Sequence, residues 1–231
     1  MRKLTVLVTA LLLVLAGCGD EKKDTRDSGG GGDNADAKPV GPSTPPESSN
    51  GCETVAEPKA KPDGSEKKPK EKLDRGTTYR LKFDTSCGSF TVELDQAESP
   101  NASASLVSLA KAKFFDGTVF HRIVPDFVIQ GGDPTGTGTG GPGYTTRDAP
   151  PSGAQYPKYT VAMAKGAQEP SGTSGSQFFV MTGDSGLPPQ YAIVGTVTKG
   201  MKVVDAIGEL GDPAEQPTQL VLVEKTTVKG P

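Results

Sequence analysis

Arg122, Phe127 and Gln130 fall within one short run of β-type residues, Phe120 to Gln130. A second run, Ser176 to Val180, carries Gln177 and Phe179. Arginine stays protonated and holds its donors in a planar fork, so it can stabilise a lone pair or charge developing on a substrate. The amides can orient a peptide or the guanidinium, and the aromatics can grip an apolar group. None of these side chains is a nucleophile. His121 is the only histidine and has no identifiable nucleophilic partner, so it reads as a structural hydrogen-bonding residue. One histidine and three cysteines in these spacings match no zinc site. The set suits electrostatic work on a bound group, with neither a cofactor nor a metal implied. Gly136 to Gly141 satisfies G-x-G-x-x-G, but Pro142 and Gly143 follow where a helix should start, so a turn-rich loop is expected. Asn101-Ala102-Ser103 fits the glycosylation sequon, which matters only in a eukaryotic secretory route.

The stretch from Phe120 through Pro125 to Asp133, followed by Ser176-Gln177-Phe178-Phe179-Val180, resembles the two signature motifs of the cyclophilins, the cyclosporin-sensitive peptidyl-prolyl isomerases. The likeness runs from about Thr77 to the end. It implies Arg122, Phe127 and Gln130 as catalytic residues, with Phe127 and Phe179 forming the floor and wall of a proline pocket. Without the motif, both phenylalanines would read as core. Gln177 would line the same groove, Val128 stands where methionine is common, and Leu187 aligns with the far rim. Met163-Ala164-Lys165 resembles a Met-Ala-Asn strand edge whose backbone binds peptide, with Lys165 in place of the asparagine. Tyr191 replaces a pocket histidine. The tryptophan that contacts cyclosporin has no counterpart, since Gly186 falls there and the chain has no Trp. The resemblance therefore implies isomerase activity on proline-containing polypeptides with weak cyclosporin binding.

The chemistry fits those residue types. Amide resonance sets a barrier of about 18–20 kcal/mol to rotation of an X-Pro bond. A catalyst must favour the twisted amide over both planar forms. In the twist the prolyl nitrogen becomes pyramidal and recovers a lone pair, which a fixed cationic donor can stabilise.

The positioning elements show in the alternation of apolar residues. Tyr79, Leu81 and Phe83, then Phe90, Val92 and Leu94, predict an opening hairpin around Ser86-Cys87-Gly88. Leu106, Val107, Ala110 and Phe114 share a helical face, with Asn101 a plausible cap after Pro100. Short strands are expected around Val119 to Ile123, Phe127 to Gln130, Thr160 to Ala164, Phe178 to Met181 and Ala192 to Val197. A second helix fits Met201 to Leu210, and Leu220 to Thr227 a closing strand. The pattern is mainly β and predicts an antiparallel barrel capped by two α-helices. The resemblance makes it a closed eight-stranded, cyclophilin-like barrel.

At the N-terminus, Arg2 and Lys3 precede an apolar run from Leu4 to Leu15, too short to span a bilayer as a mature helix. Leu15-Ala16-Gly17-Cys18 looks like a bacterial lipobox. Residues 1–17 are expected to be a lipoprotein signal peptide and Cys18 the lipid-bearing residue, with palmitate among its acyl chains. Residues 18–76 hold a glycine run, clustered prolines and a Lys/Glu/Pro stretch with little to bury, and are expected to be a disordered tether. Lys67, Lys68, Lys70 and Lys72 there read as a solvated spacer. Residues 77–231 form the folded domain. Cys52 and Cys87 remain as either a disulfide, the favoured reading, or two free thiols.

The formal charge is −3 and gives no sign of nucleic-acid binding. A lipid-anchored monomer on the extracytoplasmic face of the cell membrane is expected, assisting the folding of exported proteins. The rival readings are a proline-peptide-binding or chaperone lipoprotein without useful catalysis, and a structural or adhesion lipoprotein with an incidental barrel.

Overall fold

The structure, a computed structural model, describes residues 51–184 and 186–230. The expected signal peptide, Cys18 and the first part of the expected tether lie outside the described residues.

Alternating apolar residues build the opening hairpin, β1 (Arg80–Thr85) and β2 (Gly88–Leu94). Their register sets Phe83 opposite Phe90 and Leu81 opposite Val92, and all four are buried. α1 (Pro100–Lys111) follows. After it come β3 (Thr118–Val119), β4 (Arg122–Val124), β5 (Val128–Gly131) and β6 (Thr146–Arg147). Then β7 (Thr160–Met163), β8 (Thr173–Ser174), β9 (Phe178–Met181) and β10 (Ile193–Lys199) complete the central region. α2 (Met201–Gly208) and β11 (Leu222–Lys229) close the chain.

The barrel is not the closed eight-stranded one expected. Nine strands form one antiparallel sheet in the order β3-β11-β1-β2-β10-β7-β9-β5-β4, curled into a half-barrel, while β6 and β8 pair separately. Its two edge strands are consecutive in sequence, separated only by Phe120 and His121. A two-residue hairpin there would need left-handed backbone, and neither residue has positive φ. Val119 of β3 instead bridges Asp133, just past β5, so β3 and β4 do not pair with each other.

Phe178 lies within 5.2 Å of Phe83, 5.9 Å of Phe115 and 6.2 Å of Phe120, measured between ring centroids. This aromatic knot anchors the main core beneath α1 and α2. The cap of α1 also differs from expectation. Ser99 holds the cap position without a side-chain bond, and Asn101 sits inside the first turn. The N–H groups of Asn101 and Ala102, which have no partner within the helix, donate to Asp148 Oδ2 at 3.0 and 2.7 Å. A carboxylate from a distant loop thus meets the positive end of the helix.

Residues 51–76, the described part of the expected tether, do not run free. Cys52 and Cys87 form a disulfide, and Glu53 N donates to Ser86 O at 2.7 Å. Further along, Lys61 N donates to Pro134 O at 2.8 Å, and Lys61 Nζ reaches the carbonyls of Lys113, Phe114 and Asp116 just past α1, at 2.7, 2.7 and 2.9 Å. A cation there complements the negative end of the helix. Composition concealed this strap because its bonds are mostly to backbone carbonyls of the domain.

Candidate functional site

Three adjacent strands present the site through their register. Arg122 on β4 pairs with Gln130 on β5, and Gln130 pairs with Phe179 on β9. Phe179 in turn faces Ala162 on β7. Directly opposed residues point to the same face of a sheet, so the cation, the amide and the aromatic wall line up across three strands. Gly132 joins the two sequence runs. Its φ is 84°, and a Cβ there would come within 2.5 Å of Ser176 O. Ser176 Oγ donates to Gly132 O at 2.7 Å, which holds Gln177 beside Gln130.

A cavity of about 170 Å³ opens on this face, lined by Arg122, Phe127, Val128, Gln130, Ala164, Lys165, Phe179, Leu187 and Tyr191. Gln177 lies one step away. Gln130 Nε2 donates to Gln177 Oε1 at 3.0 Å, and Gln177 Nε2 donates to the carbonyls of Gly138 and Gly140, both at 2.9 Å. Arg122 Nη1 donates to Gln130 Oε1 at 3.4 Å. The glycine-rich loop therefore fixes Gln177, which orients Gln130 and through it the guanidinium.

Two residues of the site escaped the sequence reading. Glu215 accepts from Arg122 Nε at 2.7 Å. Both side chains are partly exposed, so the pair adds little to stability; its effect is to aim the rest of the guanidinium at the cavity. The other is Tyr156, buried behind Tyr191. Its hydroxyl donates to Tyr191 O at 2.9 Å and accepts from Tyr191 N at 3.1 Å. The Tyr191 ring thereby stands edge-on to Phe179 with centroids 5.4 Å apart. Burial pushes the Tyr156 phenol above its ordinary pKa, keeping it neutral. No local pattern could have revealed either residue, because each meets its partner from a distant part of the chain.

Lys165 lies over the Tyr191 ring at 5.8 Å and donates to the carbonyls of Gly166 and Glu169 at 3.1 and 3.0 Å. The N–H of Ala164 is already bound to Gln177 O at 2.9 Å.

His121 packs behind the site against Gly138. Burial lowers its pKa most, Asp133 opposes the shift, and Arg122 adds to it. A histidine whose folded pKa is depressed gives stability that is complete above the unfolded value and lost as pH falls below about 6.5. Between pH 7.5 and 5.5, thermal denaturation should show wild type losing more stability than His121→Gln. Equal losses would remove His121 from the acid response. Asp133 is a separate case. Burial raises its pKa, but N–H and hydroxyl donors from Thr135, Gly140 and Gly138 outweigh this and lower it, so its contribution fades only below about pH 4.

The family model described as cyclophilin type peptidyl-prolyl cis-trans isomerase/CLD matches residues 80–228. A probable peptidyl-prolyl cis-trans isomerase A of Mycobacterium leprae is 45% identical over 120 residues, which are 50% of this chain and 64% of that protein. A peptidyl-prolyl cis-trans isomerase of Arabidopsis thaliana is 33% identical over 156 residues, covering 66% of this chain and 95% of the relative. Among solved structures, a cyclophilin type peptidyl-prolyl cis-trans isomerase of Cryptosporidium parvum superposes with a TM-score of 0.60 at 28% identity, over 66% of this chain and 98% of that one. The same protein in the presence of the dipeptide Ala-Pro gives 0.60 at 27% identity, over 65% and 98%.

Proposed function

The chain belongs to the cyclophilin-type peptidyl-prolyl cis-trans isomerases, and from that premise we propose that it acts as a lipid-anchored isomerase on exported polypeptides. Its activity is acceleration of rotation about X-Pro bonds. The roles of its residues follow from the geometry. The substrate proline ring enters the cavity between Phe127 and Phe179, with Leu187 and Tyr191 on the rim. Arg122, held by Glu215 and Gln130, directs its free donors at the prolyl nitrogen as the lone pair returns. That bond forms only in the twisted state, so it lowers the barrier without tightening the ground state. Gln130 and Gln177 orient the flanking carbonyl. The dipeptide present with the Cryptosporidium relative contains proline, which supports the same class of ligand here. With Tyr191 lining the pocket and Gly186 at the position where the family's cyclosporin-contacting tryptophan falls, cyclosporin should bind weakly.

The observation that carries the extracytoplasmic placement is the Cys52–Cys87 disulfide, since such bonds persist in oxidising compartments and are rare in the cytosol. Cys18 at the end of the apolar run supplies the anchor in this reading. Stable attachment needs more than one acyl chain. The test is fractionation of cells producing the full chain. Wild type should sediment with membranes and carry an N-terminal mass matching acylated Cys18, and Cys18→Ala should not. A wild-type protein found soluble, with residues 1–17 still attached, would defeat the proposal.

A further inference from the structure

Beside the proline pocket lies a larger groove of about 750 Å³. The two share Gln130, Ala164 and Lys165, so a polypeptide with its proline in the first can extend neighbouring residues into the second. One wall of that groove is Asp63. Asp63 lies on the strap, outside residues 80–228 that match the family model. It belongs to this chain's own N-terminal segment.

The strap is fixed where Asp63 reaches the groove. Gly141 N donates to Asp63 Oδ1 at 2.8 Å, and Gly64 N donates back to Gly141 O at 3.1 Å. Glu66 N donates to Pro142 O at 3.0 Å. Gly143 has φ 90°, and a Cβ there would lie 2.6 Å from Gly64 O, so the two backbones meet at a distance that only glycine allows. The disulfide ties the same strap to the opening hairpin. Asp63 therefore stays at the groove edge with one carboxylate oxygen spent on Gly141.

The other charged groups lining the groove are Lys165 and Glu169. The ammonium of Lys165 is already held by the carbonyls of Gly166 and Glu169 and lies over the Tyr191 ring. Glu169 Oε2 accepts from Gly166 N at 2.5 Å. On the strap side Asp63 is the charged residue that lines the groove, while Lys68, further along the strap, donates its ammonium to Thr145 O at 2.9 Å.

Resting on the isomerase reading, we infer that Asp63 is a specificity-determining residue that favours substrates with a lysine or arginine near the proline. It is exposed, so the preference is modest and screened by salt.

The test uses the full chain and proline peptides bearing Lys or Glu at the second or third residue on either side of the proline. At low ionic strength, kcat/KM should favour Lys over Glu by about two- to fivefold at one of these positions, the range expected of an exposed ion pair. Asp63→Asn keeps an oxygen for Gly141 N and should bring the ratio towards one. Asp63→Lys should invert it. Rates that remain fast with a ratio unchanged in both variants overturn the assignment alone. Failure of wild type to accelerate any peptide overturns the isomerase reading and the assignment with it.

Discussion

Arg122→Ala should lower kcat/KM for a proline-containing peptide by about tenfold or more, equivalent to roughly 1.4 kcal/mol of barrier. The fall should appear mainly in kcat, because the guanidinium meets the prolyl nitrogen only when the amide is twisted. The apolar pocket of Phe127, Phe179 and Leu187 is untouched by the change, so KM should move little. Arg122→Lys should not restore the rate. An ammonium is a point charge, and it cannot reach Glu215, Gln130 and the substrate from one planar fork. Glu215→Gln should fall between, since it frees the guanidinium without removing it. Cis-to-trans rates over a range of peptide concentrations decide the matter. A full rate in Arg122→Ala would leave the pocket to do the work by apolar binding alone.

The largest loss of stability should come from Phe178→Ala, at about 3–5 kcal/mol. Phe178 is 2% exposed and touches the rings of Phe83, Phe115 and Phe120, which belong to β1, the loop after α1 and the segment before β4. Three rings from separate parts of the chain cannot all collapse into the space one ring leaves, so a cavity remains. Phe178→Leu retains most of the volume and should cost about 1.5 kcal/mol or less. Urea titration would show this as a lower midpoint at constant slope. A small loss for the alanine variant would mean that the sheet relaxes around the site. Activity should fall as well, because Phe178 and Phe179 are consecutive in β9 and face opposite ways. Loosening the first releases the second from the proline pocket.

That pair shows what can be read locally. Alternation along a strand and a 3.6-residue period along a helix assign faces without knowledge of the partners, so the opening hairpin and both helices were legible, while Phe178 to Met181 was legible as a short continuous apolar run. The motifs likewise named a set whose members, Gln177 excepted, line one cavity. Asn101 was misread as a cap because Pro100 and a capping residue type fit a local rule, whereas Asp148 reaches the helix from 47 residues away. The closed eight-stranded barrel came from the resemblance, and neither the motifs nor the short strands say whether β3 and β4 can pair.

The sequence by itself determined the alternation of the strands, the aromatic core and the chemical kind of the site, because these depend on residue type and spacings of a few positions. Only the tertiary structure decided that Arg122, Gln130 and Phe179 oppose one another, that Glu215 aims the arginine from 93 residues away, and that Tyr156 braces Tyr191. It also decided that residues 51–76 lie along the domain and bring Asp63 to the groove. Such contacts are made by backbone groups and single charges that look alike everywhere in a chain. Which of them meet is settled by burial of the whole apolar surface at once.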